Sequence, residues 1–167
     1  VLPYLMDHCF DDQSVHMRHG ATLGLAEIVL AFGTINLNSR IDSSSSSSSN
    51  NNNKTNNASN NYLSPQLLKL IADTPSTIEK KRLYRGKGGE QMRTAVCRLI
   101  ECIALSRILL TVHQQVRLLD SIDACLPHPN EDIQKQACHA LSALMLTYFP
   151  VGEKGPSERL QKRVVDK

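Results

Sequence analysis

Apolar residues recur every three or four positions along most of this chain, and the recurrence stops at a few points marked by Ser, Asn, Pro or Gly. From Val15 onward, Met17, Ala21, Leu25, Ile28 and Phe32 fall on one side of a 3.6-residue period, which predicts an amphipathic helix from Val15 to Phe32. Ser14 is its expected N-cap and Gly33 its expected stop. Gly20 and Gly24 lie four apart inside it. Each costs about 1 kcal/mol relative to Ala, so a neighbouring helix is expected to approach closely there. Val1 to Phe10 reads as the last turns of an earlier helix, followed by Asp11 and Asp12.

A second helical region begins at Ser64 and Pro65, an N-cap and first-turn pair, and Gln66 to Ala72 is expected to be a short helix. Thr74 to Lys81 reads as a polar connector, and 82–89 as a basic, glycine-rich loop. Glu90 then opens a helix to Leu105 with Met92, Val96, Leu99, Ile100 and Ile103 inward. Ser106 to Leu110 is expected to turn. Val112 to Leu126 carries Val116, Leu119, Ile122 and Cys125 or Leu126 on its apolar face, and Pro127-His128-Pro129 ends it. Asn130 caps a last strong helix through Tyr148, with Ile133, Ala137, Leu141, Leu144 and Tyr148 toward the core. Pro150 and Gly152 close it, and 151–167 reads as a polar tail that holds at most one further helix.

Between these regions the periodicity is lost. Residues 36–63 contain an unbroken serine run from Ser43 to Ser49 and then an asparagine tract, with almost nothing to bury. Such a segment cannot offset its ordering entropy, so a disordered insertion is expected there. The helical parts therefore divide into 1–35, with a truncated first helix, and 64–150.

Three helix openings superpose: Met17 to Ala21, Met92 to Val96 and Ile133 to Ala137. Each starts on a large apolar residue, has small or apolar residues three and four positions later, and follows an acidic or polar cap. The last two are about 40 residues apart, the size of a HEAT or armadillo unit. One helical hairpin cannot bury its own stripe, whereas stacked hairpins share a continuous core. The expected fold is all-α, a HEAT/armadillo-like α-solenoid of stacked hairpins; a closed helical bundle is the alternative.

Composition agrees with helices. Aromatic residues are 4 % and Trp is absent, which disfavours a sheet; Leu, Ala, Ile and Met carry the apolar content. A net charge of +3 is too small and too dispersed to imply nucleic acid, and no apolar run reaches membrane-spanning length. No signal peptide is visible, and both ends read as cut from a longer protein. The five cysteines form no CxxC pair and are odd in number, so buried free thiols in a reducing compartment are expected.

Chemistry-bearing candidates are few. Gly86-Lys87-Gly88-Gly89 precedes a helix but lacks the Walker arrangement, and Glu90 would repel a phosphate. His16 and His19 lack a third ligand nearby, and no paired carboxylates or Ser/His/Asp motif stand out. No catalytic residue, cofactor or metal is therefore expected. Arg82, Tyr84, Arg85 and Lys87 in the loop, with Arg93 in the helix after it, are the candidate protein-interaction residues, because Tyr and Arg are enriched where interfaces carry their energy.

The block Arg82-Leu83-Tyr84-Arg85-Gly86-Lys87-Gly88-Gly89-Glu90-Gln91-Met92-Arg93, with Ala95-Val96-Cys97 and Leu99-Ile100-Glu101 after it, resembles the tubulin-folding cofactor D family. So does His16-Met17-Arg18-His19-Gly20-Ala21 with Leu25-Ala26-Glu27, and the Ala140 to Leu144 helix fits the same spacing. The resemblance covers most of the chain outside the Ser/Asn tract, which departs from it. It implies an interior portion of a cytoplasmic, cytoskeleton-associated HEAT-repeat chaperone. Such a chaperone binds β-tubulin and scaffolds α/β-tubulin assembly with other folding cofactors and an Arf-like small GTPase. In that event it promotes GTP hydrolysis by tubulin without being the catalyst, and it supplies no catalytic residues to transfer. A HEAT-repeat scaffold of another pathway and a nucleic-acid-binding α-solenoid are the alternatives.

Overall fold

The computed structural model describes residues 1–11, 13–44 and 63–149, with the backbone alone for 34–44. The described residues are all-α. The helices are α1 (Leu2–His8), α2 (Val15–Ser44), α3 (Pro65–Lys80), α4 (Gly89–Leu105), α5 (Val112–Asp123) and α6 (Glu131–Tyr148). Helix α4 packs between α2 and α6, forming a row of three; α1 lies on α2, α5 on α6, and α3 beside α5 with a smaller contact to α4. The three superposable openings thus begin the three helices of that row.

Local sequence sets most helix starts. The Ser64 hydroxyl accepts the Leu67 amide hydrogen bond, and Pro65 follows at the first helical position, where its missing N–H costs nothing. Thr111 and Gln114 form a reciprocal capping box at α5, and the Asn130 side chain accepts from the Asp132 amide at α6. Helix α4 matches its expected stripe: Met92, Val96, Leu99, Ile100 and Ile103 are all buried, and Ala95, Cys97, Cys102 and Ala104 are buried as well. With a neighbour on two sides, α4 leaves only Leu105, at its last position, as an exposed apolar side chain.

Helix α2 departs from expectation in three ways. Its buried face is Arg18, Ala21, Thr22, Leu25, Ala26 and Val29, while Met17 is 42 % exposed. The face is turned by one residue because the Arg18 guanidinium reaches back to the Asp11 carbonyl and closes the α1–α2 turn. The helix also runs through Gly33 and past Asn36, the expected start of the insertion, to Ser44. A Cβ on Gly33 would lie 2.5 Å from Ser106 Cα, so this glycine lets α2 touch the end of α4 and does not stop the helix. Around Gly20 there is open space, and at Gly24 an added Cβ would make ordinary contact with Leu5, so the expected close approach lies at neither. The rest of the expected insertion, 45–62, lies outside the described residues, as does the tail 150–167; Leu63, assigned to the insertion, is buried against the core.

The expected connector Thr74 to Lys81 is helical through Lys80, so α3 is one helix with Pro75 inside it. Its polar residues serve the helix. Thr74 Oγ1 donates to the Leu70 carbonyl (2.9 Å), Thr77 Oγ1 to Asp73 (2.9 Å) and Ser76 Oγ to Asp73 (3.1 Å). Hydroxyls satisfied this way can be buried, as Thr74 and Ser76 are. Polarity therefore misread a buried helix as a linker.

The row is also joined by polar contacts. Arg98 on α4 pairs with Glu27 on α2 and with Glu101, and Glu101 accepts from Gln136 on α6. At the far end Tyr148 of α6 donates to the carbonyls of Ile103 and Ile108, and Ser106 Oγ donates to Val29 of α2.

Candidate protein-interaction loop

The loop between α3 and α4 is built by hydrogen bonds within its own backbone. The Leu83 amide donates to Ile78 (3.1 Å) and the Arg82 amide to Glu79 (2.9 Å), the paired bonds of a Schellman stop. Arg82 holds the left-handed position with φ 58°, where glycine is usual, and Leu83 packs into the core with Ile78 as the hydrophobic contact of that motif. The chain then turns back: the Arg85 amide donates to Arg82 and the Gly89 amide to Gly86.

Gly88 and Gly89 are required by close packing. A Cβ on Gly88, which has φ 86°, would strike Val15 Cγ1 at 2.3 Å, and one on Gly89 would lie 1.9 Å from the Tyr84 carbonyl oxygen. The glycines therefore bring the start of α4 against the start of α2. They do not form an anion cradle: the Gly89 amide is spent on Gly86, and Glu90 in the first turn accepts a hydrogen bond from Asn130.

The loop's candidate residues separate into two groups. Arg82, Arg85 and Lys87 are exposed, whereas Tyr84 is partly buried against the core with the Arg93 guanidinium 4.8 Å over its ring. Burial pushes the Tyr84 phenol well above its ordinary range, helped by Cys125, Cys97 and Glu79 and opposed by Arg93. Tyr84 and Arg93 thus hold the loop in place, and the three outer cations are free to meet a partner. Periodicity missed Lys80 and Lys81, which end α3 beside them; both are exposed, and the Lys81 ammonium sits 4.9 Å over the Phe10 ring. Among the described residues none of Lys80, Lys81, Arg82, Arg85 and Lys87 is ion-paired. The unread signal was the run Lys80-Lys81-Arg82, hidden by treating Lys81 as the end of a linker.

Cys9, Cys97, Cys102 and Cys125 are buried and free, as expected, but Cys138 is exposed on α6. Among the described residues no group of three or more His, Cys, Asp or Glu is placed to hold a metal, and no helix is long and apolar enough to cross a membrane. No protein-family model matches the chain, and no solved structure matches it.

Proposed function

We propose that this chain is a segment of a HEAT-type α-solenoid of the tubulin-folding cofactor D kind, and that it grips an acidic protein surface through the loop between α3 and α4. Its partners in this reading are β-tubulin, the other folding cofactors and an Arf-like small GTPase, all cytoplasmic, and its role is binding without catalysis.

The observation that carries the binding site is the cluster of exposed cations, Lys80 to Lys87, on a loop whose backbone is pinned at both ends. Charges held on a preorganised loop lose little entropy on contact and steer an oppositely charged partner during approach. The hairpin packing and the row α2, α4, α6 support the solenoid reading, since α4 buries its stripe between the other two helices of the row. The family reading is supported by the sequence blocks around His16 and Arg82.

The test is co-precipitation of β-tubulin and a small Arf-like GTPase with the intact protein and with the triple variant Arg82→Ala, Arg85→Ala, Lys87→Ala. Three rim charges together are worth about 1–2 kcal/mol, so roughly tenfold weaker capture is expected, with shallower salt dependence. Unchanged binding by a folded variant removes the loop from the site. Absence of tubulin from the precipitate of folded wild-type protein removes the family reading, and tight RNA binding that collapses with salt would favour a nucleic-acid solenoid.

A further inference from the structure

Helix α6 carries on its outer side the face with which α4 receives it. Arg98 of α4 pairs with Glu27 of α2, and Glu101 accepts from Gln136 of α6, so the side of α4 that holds Glu101 is turned to α6. Cys97 and Ala104 stand four residues before and three residues after Glu101, on that same side, and both are fully buried. The superposed openings set Ile133 of α6 against Met92 of α4, 41 positions apart. Cys138, Ser142 and Met145 are therefore the counterparts of Cys97, Glu101 and Ala104. On α6, Cys138 and Ser142 are exposed, Met145 is half-buried, and Leu146 beside them is 78 % exposed. Among the described residues α6 packs against α4 and α5 and has no helix on this side. We infer that residues 157–165 of this chain dock there as a further helix, antiparallel to α6, over Cys138, Ser142 and Met145.

The chain itself selects this occupant. Helix α6 ends at Tyr148, and Pro150 and Gly152 turn the chain out of it. Residues 149–156 then form a connection of eight residues, within the range of about 2–8 that joins neighbouring antiparallel helices. At helical spacing Leu160, Val164 and Val165 share one side of 157–165, and Glu158, Arg159, Lys162 and Arg163 share the other.

The dimensions agree. Nine helical residues span about 13 Å, and the exposed stretch of α6 from Leu146 back to Cys138 spans about 12 Å. A helix this short is marginal alone in water, so its apolar stripe orders only against a partner face. The face is small at Cys138 and Ser142 and apolar at Met145 and Leu146, which suits close approach by a helix that presents Leu and Val. Docking covers the open end of the row and is independent of what the α3–α4 loop binds.

The experiment uses the intact chain and follows alkylation of Cys138 by iodoacetamide through peptide mass, in wild type and in the double variant Leu160→Asp, Val164→Asp. A cover closed about nine-tenths of the time slows a reaction that needs it open about tenfold. Cys138 should therefore react about tenfold faster in the variant, at every chain concentration. Cys97 and Cys125 report folding, since both are buried and should stay unreacted in either protein. If the variant unfolds, Val164→Cys decides instead: under mild oxidant it should bridge to Cys138 within one chain. Equal Cys138 rates in folded wild type and variant overturn the proposal. Protection that fades on dilution also overturns it and gives the face to a second copy of the chain. So does a bridge from position 164 that forms only between chains, or only to another cysteine.

Discussion

Helices α2 and α4 open with superposable segments and stand side by side, yet only α4 buries the face that its periodicity marks. Helix α4 has α2 on one side and α6 on the other, so nearly any orientation buries its apolar residues. Among the described residues α2 has α4 on one side and the short α1 on another. Its rotation is then set by single contacts: Arg18 closing on the Asp11 carbonyl, and Gly33 meeting Ser106. Met92 is fully buried where its counterpart Met17 is 42 % exposed. A central helix is specified by its composition and a flanking helix by its contacts.

The core of α4 should respond most strongly to truncation. Leu99→Ala or Ile100→Ala should cost about 3–5 kcal/mol in denaturant unfolding, since neither side chain touches water and each truncation leaves a cavity in the core. Helix α2 should show its greatest sensitivity at a glycine: Gly33→Ala forces a Cβ into Ser106 and should cost about 2–3 kcal/mol, with the Ser106 to Val29 bond lost. A result near zero would mean that α2 does not seat against the end of α4 as described.

Alkaline titration separates the helices by their thiols. The folded Cys102 thiol on α4 is raised to about 12 from 9.0. A raised acid favours the protonated folded state, so its contribution is complete below about pH 9 and is lost as pH rises toward 12. Unfolding midpoints measured from pH 8 to 11 should fall, at up to about 1 kcal/mol per pH unit from this group, and Cys102→Ala should flatten the slope.

Smaller effects sharpen the contrast. Gly20→Ala on the open side of α2 should stabilise by about 0.5–1 kcal/mol, opposite in sign to Gly33→Ala although both are helical glycines. Met17→Ala should change stability by less than about 0.5 kcal/mol, whereas its α4 counterpart Met92→Ala should cost at least about 2 kcal/mol. Similar costs at the two methionines would restore the expected stripe on α2.

Much of the fold was legible because its signals are local. The caps at Ser14, Ser64 and Asn130 each act on an amide two or three residues away. Polarity failed at α3, where Thr74, Ser76 and Thr77 bond their own helix and thereby become buriable. The candidate loop was legible in outline from its glycines and cations. Its division into anchors, Tyr84 and Arg93, and outward cations was not, because a Tyr and an Arg nine residues apart meet only once the loop folds over α4.

Local pattern along the chain was enough to mark the described residues as helical, to place most helix starts, and to pick out which residues of α4 lie inside. Those outcomes depend on a 3.6-residue period and on caps that act within one turn. Tertiary structure alone decided the rotation of α2, the use of Gly33 as a contact, and the meeting of Tyr84 with Arg93. Each of these depends on a side chain or backbone atom from a different element, and a period written along one helix carries no record of which neighbour will lie against it.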